Sequence, residues 1–78
     1  MLDEHMPDNN DDDLQLQIRI AMLHKHLTQQ ELGRRLGWTQ PMVSRRLTGK
    51  TPIGLREALR IAEVLETSLD SLLTGVRS

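Results

Sequence analysis

The 78-residue sequence contains no cysteine, which excludes disulfides and thiolate metal ligands and fits a reducing cytosol. Phenylalanine and tyrosine are absent as well, and Trp38 is the one aromatic residue. With no period-two run of β-branched residues either, nothing in the chain reads as a strand. No apolar run approaches the roughly 20 residues that span a bilayer. The first residues are acidic and lack the apolar core of a secretory signal. Small size excludes more: a domain of this length buries only about 60% of the surface its unfolded chain exposes. That leaves no room for a deep substrate cavity, and the sequence shows no nucleophile–base pair, metal-ligand cluster or phosphate-binding glycine loop. His24 and His26 stand i, i+2 on a helix and point apart, so they cannot share a metal as an i, i+4 pair could. The expectation is a soluble, cytoplasmic protein without cofactor, metal or enzymatic activity.

A formal net charge of −1 argues against a nucleic-acid binder until its distribution is considered. Residues 1–13 hold Asp3, Glu4, Asp8, Asp11, Asp12 and Asp13 and no lysine or arginine. Removing these six acids from eleven leaves five in residues 14–78, against all ten basic residues, so the body carries +5. Such asymmetry suggests a basic binding body with an acidic tail. The tail most simply confers solubility; a sharper expectation is that it competes with any nucleic-acid ligand for the basic face.

Residues 1–10 are polar, contain Pro7 and show no periodicity, and are read as an acidic disordered tail preceding a domain over 11–78. Asp11, Asp12 and Asp13 offer an N-cap for a helix from about Asp12 to Lys25. This helix carries two apolar stripes, Leu14–Ile18–Ala21–Met22 and Leu16–Ile20–Leu23–Leu27, where a surface helix needs one. Thr28-Gln29-Gln30-Glu31 has the capping-box pattern and starts a second helix that ends near Leu36, with Gly37 as its stop. Thr39 caps a third helix running to about Leu47, in which Pro41 is tolerated because first-turn N–H groups have no intrahelical partner. After a loop over Lys50–Gly54, Leu55 to Leu65 reads as amphipathic, with Leu55, Ala58, Leu59, Ala62 and Leu65 on one face. Ser68 caps a last short helix carrying Leu69, Leu72 and Leu73 and ending at Gly75. The predicted fold is all-α, a compact bundle of five short helices.

The informative stretch is QQELGRRLGWTQPMVSRRL, residues 29–47: two short helices and a tight turn. Gly33 falls where the helices cross, and Gly37 supplies the left-handed conformation of the turn. Leu32, Leu36, Val43 and Leu47 face inward and fix the crossing, while Thr39, Gln40, Ser44 and Arg45 face outward, flanked by Arg46 and Lys50. Trp38, beside Leu36 and Gly37, reads as a packing residue.

These residues, with the later LRIAEVLETSLDSLL, resemble the lambda-repressor-like or Cro-like (XRE) helix-turn-helix family over residues 14–74. The resemblance implies a second motif helix, 39–47, that enters the major groove of double-stranded DNA with its N-terminal residues at base edges. Carried over by position, Thr39, Gln40, Pro41, Ser44 and Arg45 are the base-contacting candidates. Gln pairs with adenine, Arg with guanine, and Pro41 meets a thymine methyl. Gln29, Arg46 and Lys50 are the phosphate candidates. The chain departs from the family pattern at Pro41, at Arg46 (commonly apolar, which opens the question of its direction) and at Glu66-Thr67, where glycine and an aliphatic residue are common.

The implied function is a sequence-specific transcriptional regulator of phage or bacterial repressor or Cro type, blocking a promoter as a homodimer on a pseudo-palindromic operator. With only Val76, Arg77 and Ser78 after the fifth helix, no ligand-sensing or cleavage domain is expected. The core-facing side of the first helix leaves Leu16, Ile20 and Leu23 as an exposed patch for self-association; Leu69, Leu72, Leu73 and Val76 are the competing surface. Two other readings stay open, an antitoxin-like regulator with a protein partner and an interaction module that does not bind DNA.

Overall fold

A computed structural model of the protein describes residues 9–76, with side chains from Leu14 to Leu73. Five helices follow in order: α1 (Asn9–His24), α2 (Gln29–Leu36), α3 (Gln40–Leu47), α4 (Leu55–Val64) and α5 (Leu69–Val76). No strand occurs among the described residues. The long α1 packs against α5 and α3, α2 against α3 and α4, and α4 against α5. One core lies at their centre, where Ile18, Leu32, Val43, Leu47, Ile61 and Leu65 are fully buried. Each such side chain contributes about 1.5–3 kcal/mol on leaving water, and together they draw on α1 through α4 and the end of α4.

The first stripe of α1 is the inward one: Ile18 and Met22 are buried, and Leu14 and Ala21 pack against the core from its edge. Between them Gln15 is 4% exposed and makes no side-chain hydrogen bond to a described residue, a polar group that the apolar pattern gave no reason to place inside. Of the second stripe, Leu16, Ile20 and Leu23 stay outside at 46, 37 and 74% exposure, while Leu27 packs against the core.

Several boundaries differ from the sequence reading. Helix α1 starts at Asn9, so Asp11–Asp13 occupy helical positions in its opening turns and not the cap; residues 1–8 of the predicted tail lie outside the described residues. On α4 the buried face is Ala58, Ile61, Ala62 and Leu65, while Leu55 and Leu59 are 71 and 49% exposed. Both stripes satisfy the helical period, and packing against α2 and α5 selects the one with Ile61. Gly75 does not end α5, which continues to Val76; a glycine weakens a helix interior by only about 1 kcal/mol.

Four helices end in the same way. An N–H just beyond the helix end reaches back five residues, from Leu27 to the Met22 carbonyl (2.9 Å), Trp38 to Gly33 (2.8 Å), Lys50 to Arg45 (2.8 Å) and Thr67 to Ala62 (3.0 Å). This double-bonded ending requires a left-handed residue in between. Gly37 (φ 79°) and Gly49 (φ 86°) adopt it freely, whereas His26 (φ 55°) and Glu66 (φ 59°) do so against the steric cost of a Cβ. The departure noted at Glu66 is therefore a strained cap of the same geometry and not a different cap.

His26 is exposed, so its left-handed strain is not repaid by burial. Replacing His26→Gly should stabilise the fold by about 0.5–1 kcal/mol after glycine's larger chain entropy is counted. Thermal denaturation should show a melting temperature several degrees higher; a fall would mean that the imidazole makes a stabilising contact.

Candidate nucleic-acid interface

The interface is built on how closely α2 approaches α3. An ideal Cβ on Gly33 would lie 2.8 Å from the Trp38 carbonyl oxygen and 3.2 Å from Val43 Cγ2. The first neighbour is backbone and cannot step aside, so only glycine allows this crossing. Thr28 caps α2 by accepting the Glu31 N–H at 3.1 Å. The return bond from the Glu31 carboxylate, which the capping-box reading expected, is not among the bonds formed. Thr39 caps α3 by accepting the Met42 N–H at 3.3 Å, which places Gln40 and Pro41 in the first turn.

With Val43 and Leu47 locked into the core, the opposite face of α3 points outward. Thr39, Gln40, Pro41 and Arg45 are exposed and Ser44 is half-buried. Pro41, Ser44, Arg45 and Thr48, at i, i+3, i+4 and i+7, line a shallow open depression together with Lys50. Thr48 is the residue that the sequence reading missed; extending the 41–44–45 spacing by one step would have found it. Its hydroxyl donates to the Ser44 carbonyl at 2.8 Å. Gln29 stands apart at the start of α2, half-buried in a second groove with Arg19, Met22, Leu23, Leu27 and Leu47. Four predicted base or phosphate candidates thus share one depression, flanked by Thr39 and Gln40, while Gln29 lies at a separate groove.

Arg46 answers the question of its direction by pointing inward. Its guanidinium lies 4.6 Å from the centre of the Trp38 ring. Nε and Nη2 donate to the two Glu57 carboxylate oxygens at 3.0 and 3.2 Å, and Nη1 donates to the Met42 carbonyl at 2.9 Å. The side chain is 14% exposed. This geometry does not favour the phosphate contact that the sequence reading assigned to Arg46, because the fork is already occupied.

Two other arginines hold the motif from outside it. Arg19 of α1 donates to the Leu47 carbonyl at the end of α3, and Arg60 of α4 to the Leu36 carbonyl at the end of α2, both at 2.6 Å. A cation at a helix C-terminus satisfies orphan carbonyls and the negative end of the dipole together. Lys25 pairs with Glu66 at 2.6 Å across the ends of α1 and α4. Arg34, Arg35, Arg45, Lys50 and Arg56 make no side-chain hydrogen bond or salt bridge among the described residues and are all exposed. Two of these five, Arg45 and Lys50, border the α3 depression.

The depression offers two hydroxyls, a guanidinium and an ammonium, and the flanking Gln40 adds an amide beside the capped turn. A helix with such an exposed polar face suits the major groove, which is wide enough to admit one and displays the donors and acceptors these groups match. Among the described residues no cluster of His, Asp and Glu suits a metal, and no helix is long and apolar enough to cross a membrane. Fold and site together define a helix-turn-helix DNA-binding domain. A family model described as helix-turn-helix matches residues 18–72, and the chain belongs to that family of DNA-binding regulators of the XRE type, which is regulatory and not enzymatic. No curated protein and no solved structure matches the chain.

Gly33→Ala should destabilise the domain by about 1–3 kcal/mol through overpacking at the crossing, a loss readable by urea denaturation. An unchanged midpoint would show that α2 and α3 have room to part. The Glu57 carboxyl is held below its ordinary range, chiefly by the hydrogen bond from Arg46 and further by the Gly54 N–H. A depressed carboxylate adds stability that is complete above the unfolded value and is lost as the pH falls through the folded one. Between about pH 5 and pH 3, wild type should therefore lose more stability than Glu57→Gln; parallel acid profiles for the two would contradict the assignment.

Proposed function

We propose that the protein is a sequence-specific repressor of the Cro or repressor type, which inserts α3 into the major groove and occludes a promoter. The observation that carries this reading is the outward face of α3, where Pro41, Ser44, Arg45, Thr48 and Lys50 converge without being engaged by the core. Gln40, Ser44 and Arg45 read base edges, with Thr39 and Pro41 against the groove wall. Lys50, in the loop after α3, and Gln29, at the N-terminus of α2, meet phosphates and set the register. Binding is as two copies on a pseudo-palindromic operator with half-sites about one helical turn apart.

Selection from random duplexes at two salt concentrations tests this reading. Enrichment of a motif with a repeated half-site supports it, and salt-sensitive retention with no enriched sequence reduces the protein to a non-specific binder. On the selected duplex, Arg45→Ala should relax preference at one base pair, at about 1–3 kcal/mol. A uniform loss across all sequences would instead make Arg45 a phosphate contact.

The outer stripe of α1 supports self-association, because Leu16, Ile20 and Leu23 are exposed on one helix face with no described residue covering them. Contiguous exposed apolar side chains of this kind mark interfaces more often than chance surface. The competing face on α5 is weaker among its described side chains, since Leu72 is 5% exposed and committed to the core, Leu69 packs against it, and Leu73 is open. Sedimentation of the double variant Leu16→Gln, Ile20→Gln should give a monomer where wild type associates. A dimer of undiminished stability would remove α1 from the interface.

A further inference from the structure

Arg46 lies in the last turn of the recognition helix, yet none of its donors faces the depression that its neighbours Ser44 and Arg45 line. The guanidinium is clasped on three sides. Trp38, the turn residue that precedes the α3 cap, covers one face at 4.6 Å. Glu57 of α4 receives the fork through Nε and Nη2. The Met42 carbonyl, one turn earlier on α3, takes Nη1. Glu57 is itself fixed, because Oε1, which receives Nε at 3.0 Å, also accepts the Gly54 N–H at 3.1 Å at the start of α4. The contact therefore links the turn before α3, the end of α3 and the first turn of α4 through one planar group.

We infer that Trp38, Arg46 and Glu57 are positioning residues that set the roll and depth of α3, so that base selectivity depends on three side chains that do not touch DNA. The inference rests on the reading of α3 as the recognition helix. Val43 and Leu47 anchor the helix to the core and Arg19 holds its last carbonyl, but aliphatic contacts along one stripe constrain rotation about the long axis less sharply than directional bonds do. The planar fork supplies the missing directional constraint, since two parallel bonds to one carboxylate fix an orientation that a point charge would not. A small roll of α3 would move Ser44 and Arg45 together, because they are adjacent to Arg46 in the same turn.

A positioning role and a phosphate contact predict opposite signs. Glu57 is an acid near a surface that meets a polyanion, so on charge alone Glu57→Gln should tighten binding to every duplex. Positioning predicts that the same change lowers the preference for the selected duplex over a shuffled duplex of equal composition by about tenfold, the scale of one misplaced bidentate base contact. Arg46→Lys keeps the charge and loses the fork. It should reduce that preference similarly with the slope of log affinity against log salt at its wild-type value, whereas a lysine in a phosphate contact would keep both the slope and the preference.

The experiment titrates wild type, Glu57→Gln and Arg46→Lys with both duplexes at several salt concentrations, at a temperature where circular dichroism shows each variant folded. Lowered preference in both variants at constant slope supports the inference. Unchanged or raised preference in Glu57→Gln, or unchanged preference in Arg46→Lys, overturns it. Should Glu57→Gln fail to fold, Arg46→Lys alone decides on the same criterion. If wild type itself shows no preference for any duplex, the recognition-helix reading falls first, and that outcome is distinct from a selective wild type whose variants keep their selectivity.

Discussion

The separation of α2 and α3 at Gly33 leaves no space for one additional carbon, and the rest of the motif is arranged around that contact. A crossing this close brings the turn backbone onto α2, so the chain must reverse within Gly37 and Trp38. The reversal consumes the left-handed freedom of Gly37 and leaves Thr39 in position to cap the next helix. It also exposes the carbonyls at the ends of both short helices, and eight-residue helices have little cooperative stability of their own. Arg19 and Arg60, from helices outside the motif, take up the Leu47 and Leu36 carbonyls. Helices α1 and α4 thus do more than cover the core: each contributes a cation that completes one motif helix.

This use of arginine changes how the charge of the protein bears on its function. A body charge of +5 suggested a broadly basic surface, but the described basic residues divide into two populations. Arg46 is tied up internally, Arg19 and Arg60 are exposed but each spends a donor on a helix-end carbonyl, and Lys25 is paired with Glu66. Arg34, Arg35, Arg45, Lys50 and Arg56 remain outward. On the proposed reading, attraction to DNA comes from a few placed charges and selectivity from the short polar face of α3 between them.

Much of this was legible in the sequence because local signals and tertiary demands agree. The limits of α2 and α3, the caps at Thr28 and Thr39, the crossing glycine and the inward set Leu32, Leu36, Val43 and Leu47 all appear where periodicity and turn chemistry put them. What was not legible depended on partners distant in the chain. The direction of Arg46 is set by Glu57, eleven residues away, and the roles of Arg19 and Arg60 by carbonyls 28 and 24 residues away. The face of α4 was ambiguous because two stripes share one period, and only its neighbours distinguish Ile61 from Leu59. Gln15 is the plainest miss, since nothing local distinguishes a buried glutamine from an exposed one. Glu31 shows the converse, a motif whose pattern is present and whose second bond is not made.

The central claim is that the α3 face, and not the apolar stripe of α1 or the outer side of α4, meets DNA. Backbone amide shifts of the labelled protein, followed during titration with a selected duplex, test it most directly. The account predicts the largest changes over residues 39–50, with a separate response at Gln29 and little at Leu16, Ile20, Leu55 and Leu59. Changes concentrated on α1 or α4, with residues 39–50 undisturbed, would contradict it.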